Sequence, residues 1–277
     1  MGIEFLNAHA KETTNSTTGT KERSHVYEQI TKTMEETKTI MKGIVETWDD
    51  TGDWRREINN CLIFHHGPEE GTTGSRGRGG VAIILGPEGI KAWKRAGSPN
   101  PKYIEDVDGT TRFISIELKM SKSNKVKNMV VMCIYAPTTN DPTETATKFM
   151  DLVEEEVEKA HNENKQVVMG GDFNAKIGRR RENDKGKHFG PEGLEETNER
   201  GEMWRDFIIC NNLFVCDTYF KAKKNKKHLN ATFQNTLEDY KWIKNDYIFA
   251  SESLRSRITN TKTSIHTPPG TDHLKSD

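Results

Sequence analysis

No stretch of this sequence approaches the roughly 20 consecutive apolar residues that a membrane-spanning helix requires. The opening Met1-Gly2-Ile3-Glu4-Phe5-Leu6 also lacks the basic and apolar regions of a secretory signal, so an intracellular chain without membrane contact is expected. Cysteine is scarce: Cys61, Cys133, Cys210 and Cys216 show no CxxC spacing and no paired histidine pattern. That argues against a zinc site or a disulfide framework, and Cys133, inside Val130-Val131-Met132-Cys133-Ile134, is expected to be a buried thiol. An excess of one charge is missing too: the formal net charge is −1, so the whole-molecule field does not point to a nucleic acid. The glycine- and arginine-bearing stretch 71–80 fits neither a P-loop nor a dinucleotide fingerprint and reads as a turn.

What is present suits a globular domain with long polar loops: 277 residues, 32% hydrophobic and 30% charged, enough to bury a sizeable core. Short apolar runs at Val81–Leu85, Asn128–Tyr135, Gln166–Met169 and Asp246–Phe249 read as buried strands, and Arg112–Leu118 as a strand with one wetter face. Ser121–Lys125 suits an antiparallel connection between two of them. Apolar residues at helical spacing predict helices over Glu22–Met41 (Val26, Ile30, Met34, Met41), Glu144–Ala160 (Phe149, Leu152, Val153, Val157) and Gly201–Asn212 (Trp204, Phe207, Ile208). Strands and helices interleave, yet hairpin-like neighbours occur, which favours an α/β domain with mixed or antiparallel sheets. No internal repeat and no linker breaks the chain, so one domain over 1–277 is expected.

The strongest chemical signal is Gly170-Gly171-Asp172-Phe173-Asn174-Ala175 at the end of an apolar strand. Alternation along an extended backbone puts Asp172 and Asn174 on one side and Phe173 on the other. A carboxylate beside a neutral amide can ligate a hard cation, handle a proton and donate to a phosphate oxygen. The competing reading is a strand-ending Asx turn. Other polar residues stand at strand ends: Asn7, Glu46 after Ile44-Val45, Tyr135 before Ala136-Pro137, Asp246 at the head of an apolar run, and Asp272-His273 near the carboxyl end.

In content and order, Asn7, Ile44-Val45-Glu46-Thr47-Trp48, Ile134-Tyr135-Ala136-Pro137-Thr138, Gly171-Asp172-Phe173-Asn174-Ala175, Asp246-Tyr247-Ile248-Phe249 and Asp272-His273 resemble the DNase I-like endonuclease/exonuclease/phosphatase superfamily. Gly80–Leu85, Asn198-Glu199-Arg200-Gly201 and Ala231-Thr232-Phe233 are similar to endonuclease domains of non-LTR retrotransposons. The resemblance implies two packed mixed or antiparallel β-sheets flanked by helices, a DNase I-like α/β sandwich with its site at one edge. It implies a metal-dependent hydrolase that nicks DNA, with Mg²⁺ as cofactor and Mn²⁺ also suited to hard oxygen ligands. Glu46 would be the principal metal ligand, with Asn7 and Asp272 beside it. Asp172 would orient or deprotonate the attacking water, Asn174 and Tyr135 would donate to the phosphate, and His273 would act with Asp246. Thr232 would help hold the framework beside the substrate. A reverse transcriptase in a longer parent polyprotein and a nuclear location follow from the retrotransposon branch.

This chain departs from the family pattern in three places. Val45 stands where the family has Gln, and Asn245 where it has an aliphatic residue. The third is the terminal motif, expected at Thr271-Asp272-His273, with Ser276-Asp277 as the start of an alternative motif; in either case a truncated last strand is expected. Lys221, Lys223, Lys224, Lys226 and Lys227 form a basic loop, and Arg179-Arg180-Arg181 another; Lys223, Lys224 and Arg180 are candidates for backbone phosphates, the alternative being solvated loops. His65-His66 are expected at the surface, because neighbours on a strand cannot easily reach one ion. Two other functions stay open at this stage: phosphoester hydrolysis on inositol phosphates, lipids or RNA tails, and an inactive nucleic-acid-binding relic.

Overall fold

The computed structural model describes residues 2–7, 24–49, 51–68, 79–105, 110–123, 126–184, 187–194, 196–221, 231–235, 241–261, 263–264 and 275–276. Among these, two sheets pack face to face. The first holds β1 (Ile3–Asn7), β2 (Met41–Val45), β3 (Trp54–Ile58), β4 (Cys61–His66) and β5 (Val81–Leu85), joined by the two-residue strands Thr263–Ser264 (β14) and Lys275–Ser276 (β15) in the order β14-β15-β1-β2-β5-β4-β3. The second holds β6 (Lys102–Glu105), β7 (Thr111–Leu118), β8 (Met129–Tyr135), β9 (Gln166–Asp172), β10 (Leu213–Val215) and β13 (Asp246–Ser251) in the order β10-β13-β9-β8-β7-β6. A separate ribbon pairs β11 (Phe233–Asn235) with β12 (Lys241–Ile243). Parallel pairing joins β1 to β2 and β8 to β9; the other pairs between strands are antiparallel.

Three apolar layers follow from which face each strand residue takes. Between the sheets lie Phe5, Val45, Phe64 and Ile83 from one side and Ile114, Val131, Tyr135 and Ile248 from the other. The outer face of the second sheet is covered by α3 (Thr143–Asn162) and α4 (Glu199–Cys210), through Phe149, Val153, Trp204 and Phe207. Helix α1 (Ser24–Thr37) covers the first sheet with Tyr27, Ile30 and Met34. The result is a helix–sheet–sheet–helix sandwich.

One close approach sets how the sheets meet. The ring of Phe5 on β1 lies against Gly43 of β2 and Gly170 of β9, and a Cβ at either glycine would collide with it. Those two glycines let the ring sit between strands of opposite sheets directly below the ends of β1 and β9.

Several expectations are corrected here. The first helix stops at Thr37, where Lys38 turns left-handed at φ 54° and the Thr39 amide bonds back to the Met34 carbonyl, so Met41 opens β2 instead of closing a helix. Helix α2 (Pro87–Arg95) and the hairpin β3–β4 were not foreseen. His65 and His66 are both buried rather than at the surface. The last strand is short, but β15 pairs with β1 through Phe5↔Ser276 and with β14, so the edge of β1 is covered there. All four cysteines are free thiols, and Cys133 is buried as expected.

Candidate active site at the sheet ends

Strand register collects the predicted residues at one end of the second sheet. Asp172 ends β9 with Tyr135 of β8 on one side and Asp246 of β13 on the other. Registered neighbours share a face at a spacing of about 4.8 Å, so the three form a row. The row faces the first sheet, because the Asn7 amide Nδ2 at the end of β1 donates to Asp172 Oδ2 at 3.2 Å. That bond joins residues 165 positions apart and ties the two sheets together at the site.

The turn after β9 satisfies both readings of its sequence. Asp172 Oδ1 accepts the Asn174 amide at 2.8 Å, an Asx turn, and Asn174 adopts φ 46°. Simple alternation therefore fails beyond Asp172, yet the turn keeps both polar side chains near the strand end. Asn174 Nδ2 donates one hydrogen to the Ala136 carbonyl at 2.8 Å, and an amide nitrogen carries a second. Phe173 points to the opposite layer as expected, packing on Trp204 at 4.9 Å and Phe249 at 4.2 Å. Gly171 is required: at φ 134° any Cβ would strike the Ile134 carbonyl.

On the first sheet, Glu46 follows β2 beside the end of β1, since Asn7 pairs with Val45. Its backbone is left-handed, φ 54°, and so is that of Trp48, φ 51°. Burial raises the Tyr135 phenol far above its ordinary value, and the charge of Glu46, a hydrogen bond to Glu46 and the charge of Asp172 add to the rise, with Arg112 opposing. The phenol is therefore a donor at any ordinary pH and reaches the Glu46 carboxylate. Glu46 thus accepts from the buried phenol and Asp172 acts on it by charge, with the Arg112 guanidinium 5.4 Å over its ring. Glu46, Asp172 and Asn7 offer hard oxygens of the kind a cation such as Mg²⁺ takes when it keeps most of its water and binds one or two carboxylates.

Supporting residues were partly legible. Thr232 is fully buried and its hydroxyl accepts the amides of Asn245 and Asp246, both at 3.1 Å, so it fixes the head of β13. Asn198 caps α4 by accepting the Gly201 amide at 2.9 Å and also accepts the Lys176 amide at 3.0 Å. A Cβ at Gly201 would collide with the Lys176 carbonyl, so the helix start is clamped two residues beyond Asn174. The sequence marks Asn198 as part of a motif and Gly201 also as the start of a helix; Asn before an acidic turn was the available signal for the cap. Arg112 was missed, because an arginine opening a strand reads as solvated until its neighbours are known. Arg180 is exposed on the loop leaving β9, with its amide bonded to the Gly190 carbonyl, while Arg181 pairs with Glu202. Asp272, His273, Lys223 and Lys224 lie outside the described residues.

Neither a family model nor a curated protein sequence matches the chain. Solved structures do. A 3′-5′ exonuclease from Neisseria meningitidis superposes with a TM-score of 0.64 at 12% identity, covering 99% of this chain and 97% of that one. An AP endonuclease from Archaeoglobus fulgidus gives 0.61 at 16% identity, with 99% and 96% covered. The endonuclease domain of TRAS1, a telomere-specific non-LTR retrotransposon, gives 0.54 at 13% identity, with 99% and 95% covered. Together with the two packed mixed sheets and their helical flanks, these matches show that the chain has the DNase I-like α/β-sandwich fold.

Proposed function

We propose that this single domain is a divalent-cation-dependent phosphodiesterase that nicks DNA, with Mg²⁺ its cofactor and Mn²⁺ an acceptable substitute. The observation that carries this is the Asn7–Asp172 bond, which brings the ends of two sheets together around Tyr135, Glu46 and Asp246. Glu46 and Asn7 would hold the cation, with Asp272 as a further ligand. When bound, the cation supplies charge to a non-bridging phosphate oxygen and to the leaving oxygen. Asp172 takes a proton from water, or orients it, for attack on phosphorus. Asn174 and Tyr135 donate hydrogen bonds to phosphate oxygens as charge builds on them. His273 works with Asp246, whose backbone Thr232 fixes.

The direction of β15 supports assigning Thr271-Asp272-His273 to the terminal motif. That strand runs antiparallel to β1 and places Ser276 opposite Phe5, two residues inside the strand from Asn7, so the chain enters it from the Asn7 end. Ser276 is already too deep to open the motif. DNA as substrate is supported by the structurally similar proteins, AP endonucleases and a retrotransposon endonuclease domain among them. On that reading Lys223, Lys224 and Arg180 contact backbone phosphates. The parent protein would continue into a reverse transcriptase and work in the nucleus.

Nicking of supercoiled plasmid in Mg²⁺, in EDTA, and by Glu46→Ala in parallel tests the proposal. Metal-dependent nicking that disappears in the variant supports it. Nicking that survives either EDTA or the substitution overturns it.

A further inference from the structure

His65 takes no part in the chemistry above, yet it is fully buried beside the loop that carries Glu46. Its Nδ1 lies 3.0 Å from the Gly52 carbonyl and its Nε2 2.9 Å from the Thr47 hydroxyl. A carbonyl only accepts, so Nδ1 carries a proton; burial disfavours the charged ring, which leaves Nε2 to accept from the Thr47 hydroxyl. The ring is fixed on its flanks. Trp54 stacks on it at 4.9 Å and 16°, Tyr27 of α1 braces Trp54 edge-on at 5.3 Å, and a Cβ at Gly67 would collide with the imidazole.

Thr47 is the middle of a strained stretch. Glu46 and Trp48 on either side of it are both left-handed, a conformation that is unfavourable for a non-glycine residue and persists only where surroundings impose it. The Thr47 amide bonds to the Gly80 carbonyl at 3.1 Å and the Trp48 amide to the Gly79 carbonyl at 3.2 Å. Gly80 is itself left-handed and leaves room for the Thr47 side chain, which any Cβ there would strike. The backbone bonds fix the path of the loop. The side-chain bond from Thr47 to His65 fixes its rotation, and with it the direction of Glu46.

We propose that His65 is a positioning residue, acting through Thr47 to hold Glu46 in its left-handed, cation-directed geometry. The inference rests on the reading of Glu46 as a metal ligand. It assigns to the His65-Thr47 pair a role parallel to the outer-shell partners that orient metal-binding carboxylates.

The test compares wild type, Thr47→Val, Thr47→Ser, His65→Phe and Glu46→Ala in the full chain. Hydrogen–deuterium exchange over residues 43–49 is measured without metal, and Mn²⁺ binding by calorimetry. Thr47→Val keeps shape and removes the donor, while Thr47→Ser keeps the donor. The expected result is at least about tenfold faster exchange over 43–49 and about 10–100-fold weaker Mn²⁺ binding in Thr47→Val and His65→Phe, with Thr47→Ser near wild type. Wild-type exchange and affinity in a cooperatively melting Thr47→Val overturns the proposal, even where His65→Phe does not fold. Mn²⁺ binding that is absent from wild type, or unchanged by Glu46→Ala, overturns the metal reading and the positioning role with it. The metal-free exchange tells that failure apart from failure of the clamp itself.

Discussion

At the end of the second sheet three neighbouring strands deliver Tyr135, Asp172 and Asp246 in hydrogen-bonded register; at the end of the first, Glu46 sits past its strand on a left-handed backbone. The two halves of one site are thus positioned by different physics. Register is set by main-chain pairing and cannot slip by one residue without turning every side chain to the wrong face. A loop residue has no ladder to hold it and depends on particular contacts, here Gly79, Gly80, Thr47 and His65. The sheet-held half supplies the groups proposed to handle protons and donate to phosphate. The loop-held half supplies the carboxylate proposed for the cation, where adjustability matters and strain is tolerated.

Substitutions can break this contrast. The largest effect at the sheet-held end is expected from Asp172→Asn, which retains an oxygen for the Asx turn but loses the base and the acceptor of the Asn7 amide; the nicking rate constant should fall about 10²–10⁴-fold, with a melt lowered no more than in Asn7→Ala, which breaks the same bond. A loss of nicking no greater than in Asn7→Ala would assign Asp172 to the framework rather than the chemistry. Asn174→Gly removes the donating amide while suiting φ 46°, so single-turnover nicking should drop by about 10²–10³-fold without loss of stability. A full-rate Asn174→Gly enzyme would strike that residue from the phosphate contacts.

Below the site, Gly170→Ala forces a methyl into the Phe5 ring and should cost about 1–3 kcal/mol in urea unfolding. Adding Phe5→Leu should recover part of that loss, since the collision is with the ring edge. The smallest change in stability sharpens the comparison most. Glu46→Gly should abolish nicking yet unfold with a free energy roughly 0.4–1 kcal/mol above that of Glu46→Ala, because both lose the acceptor of the Tyr135 phenol and only glycine relieves the positive φ by more than its unfolded-state entropy costs. Asp172→Gly, at the sheet-held end, should be less stable than Asp172→Ala instead. Equal signs for the two glycine variants would erase the distinction between the halves.

Much of the fold was legible from local pattern. The strand at Val81–Leu85 has the bounds its apolar run predicts, and those at Met129–Tyr135 and Thr111–Leu118 differ by one residue at the start, because buried strands of a sandwich read as continuous apolar stretches. The edge hairpin Trp54–His66 was not legible: β3 is Trp-Arg-Arg-Glu-Ile, polar because its outer edge meets water. Helix α2 was hidden for a similar reason, being a short surface helix whose Pro87 start was the available cue.

The site divides along the same line. The sequence by itself determined the strand that ends in Asp172, the Asx turn to Asn174 and the inward course of Phe173, all of which depend on residues within a few positions of one another. The order of motifs, through resemblance, named Glu46, Tyr135 and Asp246. Only the tertiary structure decided that Asn7 bonds Asp172, that Glu46 is left-handed, and that His65 lies buried against Thr47. Those facts follow from how closely two sheets and their loops can pack, which two glycines around Phe5 and two more before β5 permit. Local pattern encodes which face of a strand is dry, whereas contacts between distant segments are set by the shape left when those faces close.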